Sequence, residues 1–509
     1  MDSGEGEWTP EQVRHDGSDI SEVRARARSL THRWLVAAVL LLAIVLRGLA
    51  FSPYAVHHPD EVFQYLEQAH RLAFGSGIVP WEVRHGMRSW LVPLMLAGPM
   101  RLGDVLAPGS ILYIVLARLA AAAIAFAAVP SAWWLGRRIS PAHGLVVLAV
   151  AAVWYENVYF SVHVLTEPLA VATFFSAAAA LAPGASRPRV ISGGALLALT
   201  IVFRFHYAPA VAVFALLLLG RRSREWRWLA LGAALTLAAS ALIDLAMGQS
   251  PFGWVVENIR QNVVADKASG FGSFGPLAYA EMSYAQWQFA FVPIVALALF
   301  GARRFPALFA AAAINLVVHL LIGHKEYRFV LLTTQILLFL AAIGSADLVA
   351  RLLEWRPRLP AFPLFAVLIG LWAVISATLA FSDASYLRWR RFEGGFELAR
   401  EAAHQHACGV AIAVDNYWAT GGQAFLHAAT PLYFIPRRSA VQSFAATAHG
   451  YDAVIGPPAD TALPASFRVV DCRGDGSERL CLATRDGACH RDAASDKLLL
   501  QAVMERHGR

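Results

Sequence analysis

The feature that most constrains this chain is a succession of long apolar runs separated by short clusters of arginine. A helix needs about 20 apolar residues to cross a hydrocarbon core ~30 Å thick. Two of the apolar runs are short and flank Arg204. The sequence predicts an all-α polytopic membrane protein with about eleven transmembrane helices, at 34–52, 110–135, 144–161, 164–182, 189–203, 207–220, 228–247, 287–301, 305–322, 329–349 and 361–381.

Composition agrees with this class. Of the 509 residues, 57% are hydrophobic and only 16% are charged, whereas soluble globular proteins are roughly 45–50% apolar and about 25% charged. The net charge of +7 comes from arginines at the ends of the apolar runs, which is typical of membrane topology. The basic balance therefore does not indicate a nucleic-acid partner.

The basic clusters also predict an orientation. With eleven spans, every cluster falls on one side, and the positive-inside rule makes that side the cytoplasm. The predicted parts are a cytoplasmic segment 1–33, a membrane domain 34–382 with outer loops 53–109 and 248–286, and an outer domain 383–509. The clusters are Arg24, Arg26, Arg28 and Arg33; Arg137 and Arg138; Arg187 and Arg189; Arg221, Arg222, Arg224 and Arg227; Arg303 and Arg304; and Arg351, Arg356 and Arg358.

The tail after residue 383 differs from the rest of the chain. Short apolar runs alternate with Gly, Pro and Asp, which predicts a small soluble α/β domain. All four cysteines lie there, and an oxidising compartment would allow one or two disulfides, while four free thiols are equally compatible with the sequence. The chain contains only three lysines, and this arginine bias favours a bacterial inner membrane with the outer loops facing the periplasm or exterior. In a eukaryote, the endoplasmic reticulum membrane would be expected.

Residues 57–61, with the sequence HHPDE, open the first outer loop. Pro59 is suited to a first helical turn, and Asp60 and Glu61 would then lie at the positive end of the helix dipole. Adjacent carboxylates beside a membrane are costly unless they are solvated or used, so a helix-dipole pair and a catalytic pair both remain open. The amphipathic stretch 62–72 predicts a helix along the membrane interface.

A second charged group, GHKEYR at 323–328, lies between two apolar spans on the same face. Two cations and a histidine there indicate an anion site, and a charged turn that caps two helices is the alternative. Arg204 within the membrane requires a partner or a ligand anion, and Glu167 and Asp244 are candidate partners. Trp81 suits either an interfacial anchor or a sugar-stacking platform.

These motifs together resemble the family 22 mannosyltransferases, which include the GPI-anchor and N-glycan-precursor enzymes. HPDEVFQ at 58–64, FGSG at 74–77, WE at 81–82, and RS at 88–89 with Pro93 resemble their first loop. HKEYRF at 324–329 resembles their second signature, and 252–279 is similar to a further stretch. The resemblance covers about 34–350 and implies a GT-C fold with its active site on the non-cytoplasmic face.

The resemblance also implies a mechanism. A sugar, usually mannose, would pass with inversion from a polyprenyl phosphate to a lipid-linked or other glycan acceptor. No cofactor or metal is expected, since the donor carries a single phosphate. The implied roles are Asp60 as general base, with Glu61 second; His324, Lys325, Arg328 and Arg204 at the donor phosphate; and His58, Gln64, Trp81, Glu82 and Arg88 at the substrate.

Two other functions share these sequence features. A lipid-linked-sugar transporter or flippase would also carry intramembrane charges, but its sites are expected near the bilayer midplane rather than on one face. A GT-C transferase for another sugar, such as arabinose, would keep the architecture and change the donor.

Overall fold

The computed structural model describes residues 32–383, 387–418, 420–436, 440–457 and 463–507. The N-terminal basic cluster of Arg24, Arg26 and Arg28 lies outside these residues. Helices form most of the membrane domain, and each of the eleven predicted runs contains at least one. They are α1 His32–Ala50, α2 Glu67–Phe74, α3 Trp81–Arg84, α4 Leu91–Leu106, α5 Leu112–Phe126, α6 Ala128–Gly136, α7 Pro141–Val153, α8 Tyr155–Ser161, α9 Thr166–Ala180, α10 Arg187–Phe203, α11 Ala208–Leu219, α12 Ser223–Ala246, α13 Gly253–Ile259, α14 Ala278–Trp287, α15 Phe291–Gly301, α16 Pro306–Leu320, α17 Leu331–Trp355 and α18 Ala361–Ala380.

Within the described residues, six helical segments are long and apolar enough to cross a membrane, or seven if the bent pair α7–α8 is one span. Other apolar helices, such as α9 with 15 residues and α16 with 15 residues, are shorter than a full span. The polytopic helical class is therefore confirmed, while the number of eleven crossings stays a prediction.

The bend between α7 and α8 explains how Arg47 is accommodated. The chain turns by 58° between these helices, so the last carbonyls of α7 lose their intrahelical partners. Arg47 donates from Nη1 to the carbonyl of Ala152 at 3.0 Å and from Nη2 to that of Ala151 at 3.2 Å. A cation at a helix C-terminus also complements the helix dipole, which gives this arginine a structural role.

Glycines let two helix pairs approach closely. A Cβ on Gly232 in α12 would lie 1.9 Å from the carbonyl oxygen of Ile191 in α10. In the same way, a Cβ on Gly344 in α17 would lie 2.1 Å from the carbonyl oxygen of Leu297 in α15. Small residues at helix interfaces are a common device in membranes because backbones can then pack directly.

The tail forms the small α/β domain that the sequence predicts. Its helices are α19 Glu393–His404, α20 Gln423–Leu426, α21 Ala440–Thr447, α22 Ala493–Asp496 and α23 Leu500–His507. Its strands are β1 Val410–Ile412, β2 Leu432–Phe434, β3 Ala453–Gly456, β4 Arg468–Arg473 and β5 Leu480–Thr484. They pair in the order β2-β1-β3-β5-β4, with β1 parallel to β2 and β3, and with β5 antiparallel to β3 and β4.

All four cysteines are bonded, as Cys408–Cys489 and Cys472–Cys481. Of the two readings that the sequence left open, the structure has the disulfides. The first joins the start of β1 to the segment before α22, and the second staples the β4–β5 hairpin. Such bonds persist in oxidising compartments, in agreement with the predicted outer location of the domain.

The first outer loop differs from the prediction in one respect. The helix begins at Pro59, as expected, and a π-helical turn Glu61–Leu66 continues directly into α2. It does not lie along an interface, since every residue from Glu61 to His70 is buried. The amphipathic pattern arises because α4 packs on one side of α2 while the tail domain contacts it from another.

Candidate active site

Asp60 stands at the start of the first-loop helix, where three side chains converge on it. Arg328 Nη2 lies 2.8 Å from Asp60 Oδ2, and Gln64 donates from Nε2 to Oδ1 at 2.9 Å. The ring of His58 lies 3.3 Å from Oδ1. The Asp60 side chain keeps 16% of its surface exposed, so it is held in place and still reachable from outside.

The charge of Asp60 is fixed by these neighbours. Burial favours the neutral acid, but the guanidinium of Arg328 and the ring of His58 outweigh it and hold the pKa of Asp60 well below its usual value. An opposite charge within hydrogen-bonding distance stabilises the ionised form. Asp60 is therefore an anion at neutral pH, able to accept a hydrogen bond from an incoming hydroxyl.

Glu61 is placed differently from its neighbour in sequence. It is fully buried and accepts hydrogen bonds from the backbone amides of His57 and Val164 at 2.6 and 2.9 Å. His163 lies 3.1 Å away and Arg118 3.6 Å away. Although burial opposes ionisation, His163 and Arg118 lower the pKa of Glu61 to about 2. This carboxylate ties the first loop to the turn before α9, and it does not face the outer surface beside Asp60.

The second charged motif joins the first through Arg328. Arg328 donates from Nε to Glu326 at 2.6 Å and also reaches Glu167 with Nη1 at 3.3 Å. His324 contacts the other oxygen of Glu326 at 3.0 Å. Lys325 is buried and donates from Nζ to the carbonyl of Ile322 at 2.6 Å. The cations of this motif are thus engaged with acidic groups and backbone, and Arg328 contacts the catalytic candidate itself.

The intramembrane arginine also has its partner. Arg204 separates α10 from the short turn before α11, and its Nη1 lies 3.2 Å from Glu167 Oε1. Glu167, completely buried, therefore joins Arg204 and Arg328. Asp244, the other candidate, instead accepts from the backbone amide of Phe252 at 2.9 Å.

A basic pocket of about 460 Å³ opens beside this network. Arg88 and Arg204 line it together with His206. The Nε atoms of both arginines and Nδ1 of His206 are buried without a hydrogen-bond partner among the described residues. Buried arginine N–H groups without partners are costly, so the pocket offers two guanidinium donors to an anionic ligand. The remaining lining residues are Tyr65, Met87, Ser89, Leu91, Val92, Thr166, Val202, Phe203, Phe205, Trp254 and Asn258.

An apolar cavity of about 570 Å³ adjoins the basic pocket. Leu91 and Val202 line both. The cavity continues along α10 and α12, where its walls include Leu199, Leu235 and Ile243. A ligand with an anionic head and a long hydrocarbon chain matches this succession of surfaces.

Two of the other predicted substrate residues, Gln64 and Glu82, lie close to Asp60. Gln64 donates to Glu82 at 3.2 Å while it bonds Asp60. Burial, followed by the charge of Asp60, raises the pKa of Glu82 despite the opposing effect of Arg88. Trp81 is stacked 6.5 Å from Phe271, and the Lys267 ammonium lies 5.2 Å from its ring centroid. The ring contacts the second outer loop, which is a packing role; a sugar contact remains a prediction.

Sequence reasoning missed three residues of this arrangement. His206 lies two residues after Arg204, and no sequence pattern assigns it a role. Glu326 sits inside the second motif, yet only its basic neighbours were assigned. Glu167 was expected to pair with Arg204, but not to bridge two arginines.

The fold and the site define a class: a polytopic membrane protein of the GT-C type, with an acidic centre and a basic pocket at one end of the helices. ArnT from Cupriavidus metallidurans, in a crystal structure bound to undecaprenyl phosphate, superposes with a TM-score of 0.59 at 14% identity, over 90% of this chain and 99% of that one. The apo form of the same protein gives a TM-score of 0.55 at 14% identity, over 88% of this chain and 97% of that one. At such identity the likeness is one of fold.

The chain belongs to the Alg9-like mannosyltransferase family, which it matches over residues 36–427. GPI mannosyltransferase 3 of Yarrowia lipolytica is 28% identical over 317 residues, which are 60% of this chain and 61% of that protein. GPI mannosyltransferase 3 of Drosophila melanogaster is 41% identical over 64 residues, 13% of this chain and 11% of that protein. The match thus spans about three fifths of the length of the Yarrowia relative and far less of the Drosophila one.

Proposed function

We propose that this protein is a membrane glycosyltransferase that moves mannose, or a similar hexose, from a polyprenyl-phosphate sugar to a lipid-linked or other glycan acceptor on the non-cytoplasmic face. Asp60 is the general base, and the reaction inverts the anomeric centre. Family membership supports the reaction class. The observation that carries the proposal is the position of the ionised Asp60 carboxylate beside a buried basic pocket that leads into an apolar cavity.

The donor fits this succession of surfaces. A sugar phosphate carries one phosphate group, and the unpartnered Nε–H groups of Arg88 and Arg204 supply donors for its oxygens. The ring of His206 lines the same pocket. The polyprenyl chain would follow the apolar cavity between α10 and α12. The bound undecaprenyl phosphate named for ArnT supports a lipid phosphate of this kind. His324 and Lys325 then act at a distance from the phosphate, by shaping the second motif.

The reaction is a direct displacement. The acceptor hydroxyl, hydrogen-bonded to Asp60, attacks the anomeric carbon, the bond to the phosphate oxygen breaks, and the hydroxyl proton passes to Asp60. A strongly depressed pKa suits a base that accepts the proton late, when the attacking oxygen has become acidic. Positioned general bases contribute roughly 10²–10⁴ in rate. The arginines of the pocket stabilise the charge that develops on the leaving phosphate.

The test compares Asp60→Asn with the wild type in nanodiscs, using radiolabelled polyprenyl-phosphate mannose and a crude lipid extract of the host. Label should enter a new glycolipid or glycan with the wild type only. Asp266→Asn is the matched control, since Asp266 is exposed in the second outer loop and its backbone conformation suits Asn. Normal turnover by Asp60→Asn would remove Asp60 as the base, whereas transfer of a different sugar only would correct the donor.

A second comparison addresses the phosphate. Arg88→Gln should raise the KM for the donor at least tenfold, because a charge-assisted hydrogen bond to phosphate is lost. Lys325→Ala should have a smaller effect, since Lys325 Nζ is already bonded to a carbonyl. The opposite order of effects would move the phosphate from the basic pocket to the second motif.

A further inference from the structure

The tail domain is fixed against the first outer loop by contacts that define its orientation. Glu67 of α2 accepts from the backbone amides of Ala424 and Ile78 at 2.6 and 2.5 Å. Gln501 of α23 exchanges two hydrogen bonds with the backbone of Val79, at 2.9 and 3.0 Å. Because the tail domain is held at both α20 and α23, it presents one defined face to the first outer loop.

That face is the carboxyl edge of the parallel strands. The segment after β1 places the ring of Tyr417 5.9 Å from that of Phe63, in the same helical turn as Asp60 and Gln64. Tyr417 also lies 5.9 Å from Phe434 at the end of β2. The first-loop helix and the loop after β1 thus share a boundary.

The strand order makes this edge a natural ligand site. β1 lies between β2 and β3 in the sheet. After β1 the chain forms β2 on one side of it and then crosses to form β3 on the other side. In open α/β sheets, ligands bind in the crevice at such a switch point, outside the carboxyl ends of the strands. The residues that follow β1 at this point include Asp415 and Asn416, which are both exposed.

An unused hydrogen-bond acceptor lies at the boundary. Gln64 is 3% exposed, and its Oε1 has no partner among the described residues. Its amide nitrogen donates to both Asp60 and Glu82. The carboxylates of Glu82 and Asp60 are near enough to contribute, after burial, to raising the pKa of Tyr417 to about 12. The phenol of Tyr417 therefore lies within electrostatic range of Glu82 and of the base Asp60, and Gln64 contacts both of these carboxylates.

We infer that residues 415–418 of the tail domain form one wall of an acceptor-sugar subsite, whose other wall is Gln64 and Glu82. Carboxylates and amides bind vicinal hydroxyls, and an aromatic ring packs on the apolar face of a sugar ring. The ligand class is a neutral glycan end, presented to Asp60 by both domains. This inference rests on the proposed transferase function, and it assigns acceptor selection to the tail domain.

The test separates the acceptor from the donor. With a fixed saturating concentration of polyprenyl-phosphate mannose, the amount of host lipid extract that gives half-maximal transfer is measured; the donor is then varied at saturating extract. Tyr417→Ala should raise the half-saturating extract at least tenfold, and Tyr417→Phe and Asn416→Ala about threefold. The donor KM should stay unchanged in all three variants.

Tyr433→Phe is the matched control for Tyr417→Phe. It also removes one phenolic oxygen from the tail domain, but from a buried tyrosine of β2 whose hydroxyl has no partner among the described residues. Tyr433→Phe should leave both the half-saturating amount of extract and the donor KM unchanged. Tyr417→Phe keeps the ring against Phe63, so a folding defect does not account for its effect.

The outcomes distinguish the two proposals. No transfer by the wild type with any polyprenyl-phosphate sugar would overturn the proposed function. An active wild type with unchanged extract dependence in Tyr417→Ala and Asn416→Ala would overturn the subsite alone and leave Tyr417 as a packing residue. A raised donor KM in Tyr417→Ala would likewise overturn the subsite, since it would place residues 415–418 at the donor.

Discussion

At the residue scale, the central feature is the contact between Arg328 and Asp60. The guanidinium of Arg328 lowers the pKa of Asp60 and so stabilises its ionised form. The same arginine also contacts Glu167 and Glu326, so its position is over-determined. An aspartate that is ionised across the physiological range contributes no acid limb to the pH profile. This predicts that the charge of Arg328, rather than the carboxylate alone, sets the pH range of activity.

Arg328→Gln should therefore give kcat/KM an acid limb. The pKa of Asp60 lies well below its usual value in the wild type. Without the guanidinium, only His58 and Arg88 oppose the effect of burial, so we expect the pKa of Asp60 to rise. Activity, which needs the ionised form, would then be lost as the pH falls through the new pKa. The measurement is the pH profile of transfer between about pH 4 and 8.

Two further variants complete this comparison. Arg328→Lys retains the charge and should shift the profile less than Arg328→Gln does. Arg260→Gln changes an exposed arginine of the second outer loop and should leave the profile as in the wild type. Identical profiles for Arg328→Gln and the wild type would show that Arg328 does not set the ionisation of Asp60.

Glu67 provides a second residue with a pH-dependent role. Its pKa is raised from 4.5 to about 7, mainly by burial, despite the backbone amides that it accepts from. Stability from this group is thus fully present below about pH 4.5 and is lost as the pH rises through about 7. The melting temperature of Glu67→Gln should therefore change less between pH 5 and pH 8 than that of the wild type. The measurement is thermal unfolding of both proteins at these two pH values.

The same substitution should lower the melting temperature at pH 5. A glutamine offers a single acceptor oxygen, so the amide of either Ile78 or Ala424 loses its partner, at a cost of about 1–3 kcal/mol. Glu401→Gln, in the partly exposed part of α19, is the control and should change neither quantity. An unchanged pH dependence in Glu67→Gln would contradict the titration of Glu67 in this range.

At the scale of elements, sequence patterns predicted positions better than contacts. Every apolar run contains a helix, because whether a stretch is apolar enough for a membrane helix depends only on its own residues. The basic clusters mark where one apolar run ends and the next begins. The closeness of α10 to α12 and of α15 to α17 was not predictable, since Gly232 and Gly344 become informative only when a partner carbonyl is known. The burial of the π-helical turn was not predictable for the same reason: its covering comes from distant parts of the chain, with Tyr417 of the tail domain at Phe63 and His163 at Glu61.

Gly344→Ala should destabilise the membrane domain. The added Cβ would meet the Leu297 carbonyl oxygen at 2.1 Å, so α15 and α17 must separate, and overpacking of this kind costs about 1–3 kcal/mol. Gly370→Ala in α18 is the matched control, because its Cβ would have no neighbour within 4 Å. The melting temperature in detergent should fall for Gly344→Ala and not for Gly370→Ala. Equal melting temperatures of the two variants would show that α15 and α17 can separate without loss of stability.

The candidate site was predicted in part. The two motifs suggested Asp60 and Arg328 separately, and the structure joins them at 2.8 Å. Arg88 and Arg204 were named from a resemblance and from an unexplained intramembrane charge, and they meet in one pocket. The position of Tyr417 beside Phe63 could not be predicted from the sequence, because no local pattern shows that a strand end in the tail faces a loop near the N-terminus.

At the scale of the whole molecule, the charged motifs and the arginine clusters separate to opposite ends of the helices. Asp60 and Arg328 meet each other, and the first loop meets the tail domain through Glu67. The basic clusters likewise meet among themselves: Arg138 and Arg189 both donate to the carbonyl of Ala179. This separation is what the alternating charge pattern predicts, and by the positive-inside rule we expect the arginine end to face the cytoplasm.

The orientation is tested with the cysteines, all four of which are in disulfides of the tail domain. In intact cells or spheroplasts, a membrane-impermeant maleimide should label the protein only after a membrane-impermeant reductant has opened these bonds. Ser186→Cys places a thiol at an exposed position beside the Arg187 cluster, and in the unreduced protein it should be labelled only after lysis. The two sites lie at opposite ends of the molecule, so they must exchange behaviour if the orientation is reversed. Labelling of Ser186→Cys in intact cells, with the tail reached only after lysis, would place the proposed active site in the cytoplasm and exclude a periplasmic or lumenal acceptor.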